Sequence, residues 1–111
     1  MKAIKLVLPL ILLLPAPALA GKIFGNLKDG GRSVGRGVDV QITCPGSAPY
    51  LTKTDEYGAY SINVPRGRCE LSVEYPKGQW TPAFPIISSD DPARYDFDLV
   101  FENERYVLKR R

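Results

Sequence analysis

The chain has 111 residues, no histidine, two cysteines and a formal net charge of +3, from fifteen Lys and Arg against twelve Asp and Glu. The missing histidine excludes histidine-ligated metals and histidine-dependent nucleophilic catalysis, and no cofactor fingerprint is present, so no cofactor is expected. So small an excess of positive charge gives no reason to expect nucleic acid or a bulk anionic membrane as partner.

Residues 1 to 20 begin with positive charge at Lys2 and Lys5, run apolar from Leu6 to Leu14, and pass Pro15 and Pro17 to end on Ala18 and Ala20. That order predicts a secretory signal peptide cleaved after Ala20. The apolar run is too short, and too interrupted by proline, to cross a bilayer. No cysteine follows Ala20 to take a lipid, so no stable membrane anchor is expected after cleavage. The segment holds two of the basic residues and no acid, which leaves 13 against 12, a net charge of +1. Gly21 to Arg111 is then one small domain, expected in the periplasm or secreted. The basic end Lys109-Arg110-Arg111 reads as a solvated tail.

From Gly21 onward, short stretches of period-two alternation recur between Gly, Pro, Asp and Asn clusters, with no helical stripe. Strands are predicted at about 22 to 28, 38 to 44, 50 to 54, 59 to 64, 69 to 75, 94 to 101 and 105 to 109. Seven short strands predict an all-β, antiparallel, Greek-key sandwich. The loop from Asp29 to Gly37, rich in glycine, lacks the ending that a phosphate cradle needs and reads as a connector. The four prolines between Pro76 and Pro92 rule out a central strand throughout, leaving an irregular crossover or an edge strand near Phe84 to Ile87.

Val38, Val40, Ile42 and Cys44 alternate with polar residues, as do Cys69, Leu71, Val73 and Tyr75. An antiparallel pair with Cys44 opposite Cys69 sets Ile42 against Leu71, Val40 against Val73 and Val38 against Tyr75. One register thus puts every apolar residue of both strands on one face and the cysteines within bonding distance. A slip by one residue turns one set outward, so the pattern and the disulfide support each other. Closing a loop of roughly 26 residues stabilises by about 3.5 kcal/mol on chain-entropy reasoning. Two reversals complete the frame: Asp55 to Gly58, and Pro65 to Arg68 with Gly67 in the left-handed region. Tyr60, Ile62 and Val64 are expected to point inward, as are Tyr95, Phe97, Leu99 and Phe101.

With the turns placed, four segments carry a resemblance: Lys22-Ile23-Phe24-Gly25-Asn26-Leu27, Gly37-Val38-Asp39-Val40-Gln41-Ile42, Thr54-Asp55-Glu56-Tyr57-Gly58-Ala59-Tyr60 and Val64-Pro65-Arg66-Gly67. From Gly21 to about Tyr75 the chain resembles a carboxypeptidase regulatory-like domain, a transthyretin-like sandwich of the carbohydrate-binding-like group. The whole chain, through Ser89 to Asp96 and Tyr106 to Arg111, is similar to small stand-alone exported bacterial proteins of this type. The resemblance implies a fold and no catalytic residues. By analogy it leaves sugar binding open.

Asp90, Asp91, Asp96 and Asp98 form the best carboxylate cluster, with 96 and 98 expected to face solvent; hard cations take such oxygens, but no calcium-loop spacing accompanies them. No metal site is therefore assigned. The single tryptophan, Trp80, sits near Tyr75 and Phe84, and an exposed aromatic patch there would suit a sugar ring. A sheet edge, at Tyr50 to Thr54 or at 81 to 87, is the alternative contact surface for another protein. The reading is a non-enzymatic, exported module that binds an envelope protein or supports the envelope structurally. The alternative is a glycan-binding protein using Tyr75, Trp80 and Phe84.

Overall fold

The computed structural model describes residues 21 to 111. The signal-peptide reading of residues 1 to 20 lies outside them. Ten strands run in order: β1 Gly21–Asp29, β2 Arg32–Ser33, β3 Asp39–Thr43, β4 Tyr50–Lys53, β5 Ala59–Val64, β6 Gly67–Val73, β7 Phe84–Ser88, β8 Ala93–Arg94, β9 Phe97–Glu102 and β10 Arg105–Arg110. They form two sheets that bury one apolar core between them, an all-β sandwich.

The second sheet is antiparallel throughout, in the order β4-β3-β6-β7. Its register sets Ile42 against Leu71 and Val40 against Val73, with all four side chains fully buried. One step beyond β3, Cys44 forms a disulfide with Cys69 of β6, with 4.4 Å between their Cα atoms. Both edges foreseen from the sequence, Tyr50 onward and the proline-rich segment, are edges of this sheet.

The first sheet is built around β1. Along one side of β1 lie β5 and the short β2; along the other lie β8 and β9, with β10 beyond. The pairing of β1 with β8 and β9 is parallel, where a purely antiparallel sheet was expected. The cause is the crossover after β7, which returns the chain to the first sheet beside β1 and running in its direction. The strand predicted from 94 to 101 is two strands, broken at Tyr95 and Asp96. There the Asp96 carboxylate accepts the Asn26 N–H at 2.9 Å in place of a backbone carbonyl. The Tyr95 carbonyl presses against Gly25, where a Cβ would overlap it, and accepts the Tyr60 hydroxyl at 2.7 Å. The connector from Asp29 to Gly37 contains a further strand, because Gly30 and Gly31, at φ of 61° and 83°, close a two-residue hairpin onto β2.

Between the sheets, Phe97 is fully buried, with Phe84 edge-on at 4.9 Å and Tyr95 stacked at 6.3 Å between ring centres. The Tyr95 hydroxyl accepts the Ile87 N–H at 2.9 Å and so ties the first sheet to the second. Phe101 departs from its expected inward place and is 62% exposed. It lies beside the turn at Asn103 and Glu104, past the filled core, with Tyr106 edge-on at 5.1 Å. Val38 and Tyr75 are half-buried at the same end of the core.

The C-terminus is no solvated tail. Arg111 Nε donates to Asp98 at 2.8 Å, its Nη2 donates to the Asn26 side chain and to the Phe97 carbonyl, and its backbone N–H donates to the Asp96 carbonyl. Lys109 pairs with Glu102 at 3.5 Å, and the Arg110 guanidinium stacks 4.1 Å from the Tyr95 ring centre.

Candidate functional site

Strand alternation decides which side chains reach the outer face of the second sheet. Ile42, Val40, Leu71 and Val73 point inward, so Asp39, Gln41, Ser72 and Glu74 point out. In β4, Leu51 and Lys53 stand opposite Gln41 and Asp39 and share that face. A one-residue bridge between Glu74 and Trp80 then brings the tryptophan onto the same surface. It is held by the reversal after Tyr75, in which Tyr75 N–H donates to the Gln79 carbonyl at 2.8 Å and Gln79 N–H donates to the Pro76 carbonyl at 2.9 Å. Glu74 completes the reversal by accepting the Gly78 N–H at 2.9 Å.

Trp80 is 40% exposed and lines a groove of about 400 Å³ with Leu51, Thr52, Gln41, Asp39 and Lys53. The floor is apolar, from the indole and from Leu51, which is 65% exposed; the rim is polar. Lys53 and Asp39 form an ion pair across it. That hydrogen bond lowers the Asp39 carboxyl below its ordinary range, against a smaller opposing effect of burial. A groove with an indole face and neighbouring amide, carboxylate and ammonium groups can stack a flat ring and hydrogen-bond its substituents.

The other two sequence candidates lie elsewhere. Tyr75 lines an adjoining hollow of about 260 Å³ that shares Asp39 with the groove. Its ring packs edge-on against Tyr106 at 5.0 Å and its hydroxyl donates to Asp29 at 2.6 Å, a bond that helps push its pKa up to about 12. Phe84 stands opposite Leu71 on the inward face, against Phe97. Trp80 therefore gains Leu51 and Gln41 as neighbours rather than Tyr75 and Phe84. These partners come from strands far away in sequence. The signal that finds them is the register of β4 on β3.

The aspartates are dispersed among arginines. Asp96 is held by Arg94 at 2.7 Å and by the Asn26 N–H; burial raises its pKa, but those bonds and the charges of Arg94 and Arg111 outweigh burial and leave it lowered. Asp98 bonds Arg111, and Asp90 bonds Arg66 at 3.2 Å. Among the described residues no group of three acidic or cysteine side chains is placed to hold a metal ion. The turn residues serve the backbone: Asp55 accepts the N–H groups of Tyr57 and Ala59 at 2.8 and 3.0 Å. Gly58 has φ of 76°, and a Cβ there would press on the Leu27 carbonyl. Gly67 has φ of 126° where β6 begins after Pro65.

No helix among the described residues is long and apolar enough to cross a membrane. Compared with known proteins, the chain matches no protein-family model and no curated protein.

Proposed function

We propose that the protein is an exported, non-catalytic binding module of the cell envelope, a transthyretin-like sandwich of carboxypeptidase regulatory-like type that engages its partner through the outer face of the second sheet. The observation that carries this reading is the exposed Trp80 beside Leu51, over a groove with a polar rim. An aromatic anchor in a shallow pocket ringed by polar groups is the usual energetic centre of a protein interface. The absence of histidine and the disulfide of Cys44 with Cys69 support a non-enzymatic role in an oxidising compartment.

A second reading, a glycan ligand, is favoured by the company Trp80 keeps. Gln41, Asp39 and Lys53 offer hydrogen-bonding groups around one stacking surface. One experiment separates the two readings. The tagged protein and its Trp80→Ala variant are crosslinked in the native envelope and the captured material is identified by mass spectrometry, while the fluorescence of the single tryptophan is followed across a polysaccharide panel. One envelope protein captured by the wild type and lost in the variant supports the interaction module. A saturable fluorescence change with one polysaccharide supports the glycan. Equal recovery by both proteins, with unchanged fluorescence, overturns both.

A further inference from the structure

Among the described residues one buried side-chain polar atom lacks a hydrogen-bond partner, the hydroxyl oxygen of Ser88. Ser88 ends β7 and is 2% exposed. A hydroxyl buried without a partner forfeits the bonds that water would give it, so a native fold seldom keeps one without a use. Its neighbour is Gly21, the buried first residue of β1. A Cβ on Gly21 would overlap the Ser88 hydroxyl and would lie 2.9 Å from the Ser89 carbonyl oxygen. Two oxygens at the end of β7 therefore converge on the space beside Gly21 that any other residue fills with a side chain.

Gly21 is also the residue that the signal-peptide reading makes the N-terminus of the exported protein. In that cleavage water attacks the Ala20 carbonyl and the C–N bond to Gly21 breaks. The water oxygen stays on the Ala20 carboxylate, and both water protons pass to the Gly21 nitrogen. A peptide nitrogen has one N–H, fixed in the plane of its amide; an α-ammonium has three, on a nitrogen that turns freely about its bond to Cα. That nitrogen and the vacant Cβ position belong to the same Cα, which brings the oxygens at the end of β7 within its reach.

We propose that the end of β7 is a receptor for the processed N-terminus, a conclusion that rests on the signal-peptide reading. The Gly21 α-ammonium donates to the Ser88 hydroxyl oxygen and to the Ser89 carbonyl. Because β1 belongs to the first sheet and β7 is the edge of the second, the contact ties the two sheets together. Before cleavage the Ser88 hydroxyl has no such donor, and cleavage supplies it. Processing thus completes the sandwich, and the exported form is tighter than its precursor.

The exported protein is first sequenced from its N-terminus. The chain beginning at Gly21 is then compared with one beginning at Ala20, each with and without Ser88→Ala, by urea unfolding at about pH 6.5, where an α-amine is protonated. In the Gly21 form Ser88→Ala is expected to lower the folding equilibrium constant about fivefold, the worth of one hydrogen bond. In the Ala20 form it is expected to leave that constant unchanged or to raise it, because there it removes an unbonded hydroxyl. As an independent reading, acylation of the α-amine is expected to be about fivefold slower in the Gly21 form than in the Ala20 form, since a bonded amine must first be released. An exported protein that begins at any other residue overturns the signal-peptide reading and the proposal with it. One that begins at Gly21, but in which Ser88→Ala acts alike in both forms or the two amines react at equal rates, overturns the receptor alone.

Discussion

The two sheets of this sandwich hold together by different means. In the second, backbone register and an apolar alternation do nearly everything, and the disulfide lies where that register ends. In the first, β1 is flanked by fragments, and side chains complete what backbone ladders leave open: Asp96 serves an N–H of β1, Tyr60 serves the carbonyl of Tyr95, and Arg111 clasps Asn26 and Phe97. A regular sheet is specified by pattern. A patched sheet is specified by individual polar contacts, each of which must be placed by the rest of the fold.

The largest effect should come from the core that both sheets share. Phe97→Ala removes a fully buried ring from between Phe84 and Tyr95 and is expected to cost about 3 to 5 kcal/mol, measured by urea unfolding. A loss under about 1 kcal/mol would mean that the sheets can close over the cavity. Next, Cys44→Ala with Cys69→Ala removes the constraint of the second sheet and should cost about 2 to 4 kcal/mol. The matching chemical check is that the oxidised, denatured protein takes up no thiol reagent.

Acid distinguishes the patched sheet. Folding lowers the pKa of Asp96 below its ordinary 3.8, so the folded state binds that proton less readily than the unfolded chain. The stability this contributes is complete above 3.8 and is lost as the pH falls below it. Asp96→Asn is expected to cost about 1 kcal/mol near neutral pH and to flatten the acid limb of a stability profile. An unchanged acid limb would remove Asp96 from the account.

Base probes the tyrosines with the opposite sign. Folding raises Tyr75 from 10.0 to about 12, chiefly through its hydrogen bond to Asp29, and burial raises Tyr60 further. Their contribution is complete below 10.0 and is lost as the pH climbs from there toward the folded values. Tyr75→Phe should therefore shrink the alkaline loss, and Tyr60→Phe should shrink it more. With no histidine, stability should be nearly flat between about pH 6 and 8. The smallest effect is expected on the outer face: Lys53→Ala breaks an exposed ion pair and should shift stability by under about 1 kcal/mol in thermal melts.

Much of the second sheet was legible in the chain. Apolar alternation is a local property, and a disulfide between Cys44 and Cys69 agrees with only one pairing of the strands that carry them. The reversals at Asp55 to Gly58 and around Gly67 follow equally from local chemistry, since a carboxylate that caps its own backbone and a glycine free of Cβ act within a few residues. The prolines narrowed the segment from 76 to 92 to an irregular crossover or an edge strand near Phe84, because proline is kept out of central strands; the structure has the edge strand.

What tertiary structure alone decided are contacts between residues distant in sequence. The break at Tyr95 and Asp96 arises because Gly25 lets a carbonyl approach β1, and alternation through Tyr95, Phe97, Leu99 and Phe101 carries no mark of it. Phe101 has inward parity yet ends in solvent, because parity chooses a face and cannot say how far the core extends along it. Arg111 reads as a loose end in sequence, and its partners Asn26, Phe97 and Asp98 exist only once β1, β9 and β10 lie side by side. For the same reason Trp80 was visible as a candidate while its neighbours Leu51, Gln41 and Lys53 were not: local pattern assigns a side chain to a face, and only the packed sheet brings faces from separate strands together.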